Sequence, residues 1–229
     1  MTDGPLARRC LAEAVATFAL VFAGCGAIVV DSQRAQSLGS VGIAVAFGLA
    51  ILAMIYAVGH VSGAHINPAV TVAFTALRHF PTRDALAYVP SQLAGAVLGA
   101  LALRVAWHGT PANLGATVPS VGSGSALLYE FVMTAFLMFV VMAVATDTRA
   151  VGAAAAIAIG GTIALDALFG GDVTGASMNP ARSFGPALVT GVWTDYWIYV
   201  LAPVTGALVG ALVYGVVRQS RERADARSA

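Results

Sequence analysis

One segment near the middle of this chain occurs twice, and the repeat limits the possible folds more than any other feature. The stretch 60–70, HVSGAHINPAV, recurs as 172–182, DVTGASMNPAR, at an offset of 112 positions. Self-similarity of this kind indicates an internal duplication. The sequence therefore predicts a single domain over 1–229, built from two related halves at about 6–108 and 126–217.

Long apolar stretches predict that both halves lie in a membrane. The chain is 59% hydrophobic and 10% charged, whereas an ordinary soluble domain has roughly 25% charged residues. A stretch of about 20 apolar residues can cross the hydrocarbon core as a helix. Six such stretches occur, at about 6–30, 40–60, 86–108, 126–146, 151–169 and 196–217. The predicted fold class is an all-α membrane protein with six transmembrane helices.

The number of spans in each half determines how the halves are related. Each half contains three, and an odd number makes the second half cross the membrane in the opposite sense, as an inverted repeat. The repeated Asn-Pro-Ala motifs begin apolar segments at 67–78 and 179–190, which are too short to span. Asn is a favourable N-cap and Pro a favourable first helical residue, so each segment is predicted to form a re-entrant half-helix. The motif residues are Asn67, Pro68, Ala69, Asn179, Pro180 and Ala181.

The positions of the arginines predict the orientation of the chain. The loops at 31–39 and 109–125 contain only Arg34, and the other loops and the termini are richer in arginine. Cytoplasmic loops of membrane proteins carry an excess of Lys and Arg, so both termini are predicted to be cytoplasmic. Short loops and the absence of a targeting segment favour a bacterial inner membrane. The arginines used here are Arg8, Arg9, Arg78, Arg83, Arg149, Arg218, Arg221, Arg223 and Arg227.

The two re-entrant segments predict a wet path through the membrane. Irregular backbone at membrane depth is tolerated where it lines a water-filled cavity, so 62–66 and 174–178 should present carbonyl acceptors to solvent. The side-chain amides of Asn67 and Asn179 would supply donors at the centre. Both half-helix N-termini would direct positive dipole ends there, and Arg182 would add a fixed positive charge nearby. This arrangement favours passive movement of small uncharged solutes and exclusion of protons and ions.

Other classes of protein are less consistent with the sequence. A secondary transporter can also use inverted repeats and broken helices, but no acidic residue adjoins Asn67 or Asn179 to hold a coupling cation. No nucleophile pairing, phosphate loop or cofactor motif suggests an enzyme. His60 and His65 are five apart and lack further ligands for a metal. The net charge of +1 does not predict a nucleic-acid partner. We expect no cofactor and no metal.

Three ionisable residues at repeated or motif positions are predicted to brace the re-entrant loops. Glu13 and Glu130 interrupt apolar helices, where a carboxylate costs about 2.5–3.5 kcal/mol on insertion scales and needs a partner. Their repetition favours hydrogen bonding to the loop of each half over a proton or cation relay. His65 is expected to brace its loop through the ring, with gating by protonation as the alternative. For Asp166, solute contact and a bond to the loop near 170–174 both remain open.

The doubled Asn-Pro-Ala motif, the arginine directly after its second copy and the glutamates on the first and fourth spans resemble the aquaporin, or major intrinsic protein, family over nearly the whole chain. The resemblance implies a right-handed bundle with one pore per subunit and a homotetramer. It also implies a narrow selectivity filter whose residues here are Phe47, Ala167, Ala176 and Arg182.

These filter positions differ from those of two branches of the family. Strict water channels usually carry His at the position of Ala167 and Cys or Thr at that of Ala176, and glycerol facilitators carry Asp at that of Ser183. Two alanines opposite Phe47 resemble the nodulin-type branch, which implies passage of water with glycerol, boric acid or arsenite. The alternative is a water-specific channel.

Overall fold

The structure is a computed structural model that describes residues 4–146 and 154–228, with side chains described up to Arg218. Within these residues it is helical. The helices are α1 (Leu6–Leu20), α2 (Gly26–Gln33), α3 (Gly39–Ser62), α4 (Pro68–Ala76), α5 (Thr82–Ala106), α6 (Ser123–Thr146), α7 (Ala155–Thr174), α8 (Pro180–Thr190) and α9 (Ile198–Ser228). A π-helical turn at Val21–Cys25 joins α1 to α2 without a break.

Six helices in the described part of the chain are long and apolar enough to cross a membrane, which confirms the predicted fold class. They correspond to the six predicted stretches, although their ends differ by a few residues. The first runs over Leu6–Gln33, and α9 extends to Ser228, beyond the end expected near 217. The predicted start of the fifth span at 151 and the orientation marker Arg149 lie outside the described residues.

The long helices pack as equivalent pairs in the two halves. Helix α1 lies along α5, and α6 lies along α9. Glycines allow these helices to approach closely, since a Cβ built on Gly95 would lie 2.1 Å from the Ala14 carbonyl oxygen. A Cβ on Gly210 would lie 2.1 Å from the Ala135 carbonyl oxygen. Small residues that bring helix backbones together are typical of membrane bundles.

Helices α3 and α7 pack against each other at the centre of the bundle and connect the two halves. A Cβ on Gly48 would lie 2.6 Å from the Gly160 carbonyl oxygen, and one on Gly160 would lie 2.7 Å from the Gly48 carbonyl oxygen. These two glycines are repeat equivalents, so the contact is nearly symmetric.

The short helices α4 and α8 begin at the repeated motifs, as the sequence predicted. Each is preceded by an extended asparagine, with φ of −152° at Asn67 and −149° at Asn179. Helix α4 packs against α9, and α8 packs against α5. Each half-helix is therefore held in the bundle by a long helix.

Candidate functional site

A cavity of about 1150 Å3 lies within the bundle and is lined by residues of both halves. It is bordered by both motif asparagines, by His65 and by all four predicted filter positions. The side chains of the motif prolines and alanines, and those of Glu13 and Glu130, lie outside its wall. The lining residues named here are Phe47, His65, Asn67, Ala167, Ala176, Asn179 and Arg182.

The motif asparagines cap their own half-helices. Asn67 Oδ1 accepts a hydrogen bond of 2.8 Å from the Ala69 backbone N–H. Asn179 Oδ1 accepts one of 3.0 Å from the Ala181 backbone N–H, and a longer one from that of Arg182. Each cap uses the oxygen of the amide and leaves its nitrogen for other contacts.

The same two asparagines connect the half-helices to each other. Asn67 Nδ2 donates to the Met178 carbonyl, and Asn179 Nδ2 donates to the Ile66 carbonyl, both at 2.8 Å. An amide nitrogen carries two hydrogens, so one N–H of each asparagine is used across the interface. The second hydrogen of each amide remains as a donor, and both asparagines border the cavity.

The loops before the half-helices have a strained backbone that repeats in both halves. The φ angles are +47° at Ala64 and +55° at Ile66, and +39° at Ala176 and +52° at Met178. A left-handed conformation costs a residue other than glycine roughly 1–2 kcal/mol. The surrounding hydrogen bonds must therefore hold the loops in this form.

Glu13 provides these hydrogen bonds in the first half and is fully buried. Its Oε1 accepts from Ser62 Oγ at 2.7 Å and from the His65 backbone N–H at 2.9 Å. Its Oε2 accepts from the Ile66 backbone N–H at 2.7 Å and from Gln92 Nε2 at 2.8 Å. Four donors thus converge on one carboxylate inside the bundle.

Glu130 has the equivalent position in the second half and is also fully buried. Its Oε1 accepts from Thr174 Oγ1 at 2.7 Å and from the Ser177 backbone N–H at 2.8 Å. Its Oε2 accepts from the Met178 backbone N–H at 2.7 Å. The glutamine of the first half has no counterpart here, because the repeat places Pro203 at that position.

The His65 side chain lies behind the first loop within a cluster of aromatic rings. Its Nδ1 lies 3.1 Å from Thr71 Oγ1. Its ring centroid lies 4.6 Å from that of Phe80, 5.0 Å from that of Phe74 and 5.4 Å from that of Tyr88. The ring is therefore fixed by packing on several sides.

A chain of hydroxyl groups occupies the equivalent place in the second half. Ser177 Oγ lies 2.6 Å from Ser183 Oγ, and Thr117 Oγ1 donates to Ser183 Oγ at 2.8 Å. Ser177 and Ser183 are the repeat equivalents of His65 and Thr71. Thr117 comes from the loop between the two halves, and no sequence pattern had indicated its role.

Two tyrosine hydroxyl groups occupy backbone carbonyls at the start of the two loops, so these carbonyls are not free to bind a solute. Tyr88 Oη donates to the Ser62 carbonyl at 2.8 Å, and Tyr199 Oη donates to the Thr174 carbonyl at 2.6 Å. The carbonyls of residues 66 and 178 already accept from the asparagines. Among the described residues, no group donates to the carbonyls of 63–65 or 175–177. These six oxygens are the acceptors left in the two loops.

Arg182 and Phe47 form one side of the predicted filter. The Arg182 guanidinium carbon lies 4.9 Å from the centroid of the Phe47 ring, within cation–π range. Arg182 Nη1 donates to the Gly115 carbonyl at 2.6 Å. Arg182 Nε and Nη2 are buried and have no hydrogen-bond partner among the described residues. The arginine therefore retains donors beside the cavity.

Asp166 does not belong to the wall of this cavity, although the filter position Ala167 follows it directly. The Asp166 side chain is fully buried, and neither carboxylate oxygen has a hydrogen-bond partner among the described residues. The loop contact considered from the sequence is therefore not seen.

The chain matches a family model described as major intrinsic protein over residues 1–214. Nodulin-26 of Glycine max is 50% identical over 214 residues, which cover 93% of this chain and 79% of that protein. Aquaporin NIP1-4 of Oryza sativa subsp. japonica is 51% identical over 215 residues, which cover 94% of this chain and 78% of that protein.

The fold also resembles a solved structure. The X-ray structure of the aquaglyceroporin from Plasmodium falciparum matches with a TM-score of 0.81 at 24% identity, and the match covers 92% of this chain and 96% of that chain. At this identity the likeness concerns the fold.

Proposed function

Because this chain belongs to the major intrinsic protein family, we propose that it is a passive membrane channel for water and for small uncharged solutes such as glycerol-like polyols or metalloid hydroxides. It is a multi-pass integral membrane protein of a family of channels, and we propose no enzymatic activity for it. The similarity to nodulin-26 and to a NIP-type aquaporin supports the nodulin-type interpretation of the filter.

The observation that carries the choice of solutes is the composition of the constriction. Ala167 and Ala176 line the cavity together with Phe47 and Arg182, and the side chain of each alanine is only a methyl group. A ring with two small members leaves more room than one with His and Thr. The aromatic ring of Phe47 can contact C–H groups of a solute, while the unpartnered Arg182 donors can bind its hydroxyl oxygens. This combination is suited to a small polyol or a metalloid hydroxide.

Exclusion of protons and cations is proposed to arise at the centre of the pore. The two half-helix N-termini meet there, each contributing roughly half a positive charge from its aligned peptide dipoles. The remaining N–H of Asn67 and of Asn179 would donate to the same solute oxygen or to neighbouring ones. A water oriented by two such donors must donate its own hydrogens outward, which interrupts a proton wire.

The remaining roles are proposed from the contacts described above. Glu13 and Glu130 hold the strained loops, and the His65 ring braces the first loop. We propose a homotetramer, which is typical of the family. We also propose cytoplasmic termini, which are expected from the positions of the arginines. The relatives named above are plant proteins, so they give no support to a bacterial inner membrane, which stays a prediction from the sequence.

The test is stopped-flow light scattering on proteoliposomes, with water, glycerol and boric acid measured separately. We expect the wild-type channel to pass all three. The double substitution Ala167→His and Ala176→Thr should retain water permeability and lower glycerol flux roughly tenfold or more, because it narrows the constriction. Ala145→Thr is the matched control, since Ala145 is exposed and lines the same cavity but is not a predicted filter position. A wild type that passes water alone would favour the water-specific alternative.

A further inference from the structure

Gly24 lies directly behind the aromatic member of the filter. It is buried and belongs to the π-helical turn at Val21–Cys25. A π turn adds one residue to a helical turn and rotates the residues that follow, and such turns occur frequently at functional sites. In α6, the repeat equivalent of α1, the helix is regular, and the position matching Gly24 is Val141.

The contact between Gly24 and Phe47 leaves no room for a side chain at position 24. A Cβ built on Gly24 would lie 2.3 Å from Phe47 Cε1, 2.4 Å from Cδ1 and 2.8 Å from Cζ. Ordinary contacts of a Cβ begin at 3.4 Å. The ring of Phe47 would have to move by about 1 Å to make space for a single methyl group.

The helix that carries Gly24 has little freedom to retreat from the ring. On the side facing α5, a Cβ on Gly99 would lie 2.9 Å from the Phe18 carbonyl oxygen and 3.1 Å from Val21 Cβ. The backbone around the π turn is therefore already in close contact with α5. A methyl group at position 24 would displace the ring rather than the helix.

The free space next to the Phe47 ring is the cavity itself. The ring borders the cavity, whereas Gly24 packs against the ring and is not among the residues that line the cavity. The Arg182 guanidinium, which lies over the ring face at 4.9 Å, is held in place by the Gly115 carbonyl. A displaced ring would therefore enter the constriction.

We propose that Gly24 is a specificity-determining residue of this channel. The absence of a side chain at Gly24 lets the Phe47 ring withdraw from the constriction, and this sets the width available to solutes larger than water. The inference rests on the proposed function, because it concerns which solutes the same pore admits. Gly24 does not itself touch the solute and acts by positioning Phe47.

The test compares Gly24→Ala with Gly161→Ala in proteoliposomes. Gly161 is also a helical glycine, but a Cβ there would meet nothing within 4 Å. We expect Gly24→Ala to lower glycerol and boric acid flux roughly tenfold, with a smaller loss of water permeability, since a constriction about 1 Å narrower affects the larger solutes more. Equal fluxes for the two alanine variants would overturn the proposal.

A second pair of variants tests whether the effect acts through the ring. In a Phe47→Ala background every ring atom that the new methyl group would meet is absent, so adding Gly24→Ala should change glycerol flux by less than roughly twofold. A tenfold loss that persists in this background would overturn the proposal. If Gly24→Ala alone does not assemble, the double variant should assemble. Failure of the double variant as well would show that the methyl group meets another part of the bundle and would overturn the proposal.

The same measurements separate this proposal from the proposed function. A wild type that passes only water would contradict the proposed solutes. Gly24→Ala should then still lower water permeability relative to Gly161→Ala when Phe47 is present, and should leave it unchanged in the Phe47→Ala background. Absence of that difference would overturn the role of Gly24.

Discussion

The hydrogen bonds at Glu130 make a specific prediction about the stability of the second re-entrant loop. The carboxylate accepts three hydrogen bonds, all within 2.8 Å, and two come from backbone N–H groups. In Glu130→Gln one oxygen becomes an NH2 group, which can donate to Thr174 Oγ1 but cannot accept from the Ser177 backbone N–H. One buried N–H is then left without an acceptor.

The magnitude follows from two contributions. A buried donor without an acceptor costs about 1–3 kcal/mol, and a hydrogen bond that loses its charged partner falls from about 1.5–3 to about 0.5–1.5 kcal/mol. We expect Glu130→Gln to destabilise the protein by about 2–4 kcal/mol. For a chain of this size, this corresponds to a fall of roughly 5–15 °C in the unfolding midpoint.

Asp166→Asn is the matched control for this substitution. Asp166 lies on the neighbouring helix α7, is equally buried and accepts no hydrogen bond among the described residues. Changing it to Asn removes an acid without removing a hydrogen bond, and relieves any cost of burying an unpaired charge. We therefore expect its midpoint to equal or exceed that of the wild type.

The assay is thermal unfolding of both purified variants in the same detergent, monitored by circular dichroism. The argument that hydrogen bonds to Glu130 hold the loop would be refuted if Glu130→Gln unfolded at the wild-type temperature. It would also be refuted if the two variants lost the same stability, because removal of a buried acid would then explain both.

Three other predictions concern the centre, the filter and the packing of the bundle. Asn67→Asp keeps the cap but removes the donor to the Met178 carbonyl, so it should lower the unfolding midpoint. It should also raise ionic conductance in planar bilayers, since a negative charge replaces a donor at the pore centre. Arg182→Leu removes the fixed charge beside the cavity and should allow a cation conductance that the wild type lacks. Gly95→Ala places a methyl group 2.1 Å from the Ala14 carbonyl oxygen and should cost about 1–3 kcal/mol, measured as a lower unfolding midpoint.

Each of these predictions has a control in the same chain. Asn179→Asp should behave like Asn67→Asp, because the two residues make equivalent contacts. Arg104→Leu removes an exposed arginine away from the cavity and should leave conductance unchanged. Gly161→Ala adds the same methyl group in open space and should leave the unfolding midpoint unchanged. Equal effects in a variant and its contrasting control, at Arg182 or at Gly95, would contradict the reasoning.

Much of the fold could be predicted from the sequence because it depends on local patterns. The length of the apolar stretches predicted six spanning helices, and the described part of the chain contains six that are long and apolar enough to span. The Asn-Pro pair predicted the start of each half-helix, since N-caps depend on residues a few positions apart. The repeat of Glu13 as Glu130 indicated that both residues bond the loop of their own half, and the structure shows such bonds.

The partners of these residues could not be predicted, because they lie far apart in the chain. Gln92, which donates to Glu13, is 79 positions away, and Gly115, which accepts from Arg182, is 67 positions away. Neither lies in a recognisable motif. Thr117 likewise donates to Ser183 because the connection between the halves folds back over this part of the second half.

The sequence by itself determined the number of spans, the inverted repeat and the positions of the half-helices, because each depends on local length, capping and duplication. Only the tertiary structure decided how each helix is rotated about its axis. In a membrane, the residues that face lipid are as apolar as those that face protein, so hydropathy does not mark the inward face. Phe47 is 8% exposed and the nearby Leu49 is 56% exposed, although both are large and apolar. The packing of Gly24 against Phe47 could therefore be found only in the folded bundle.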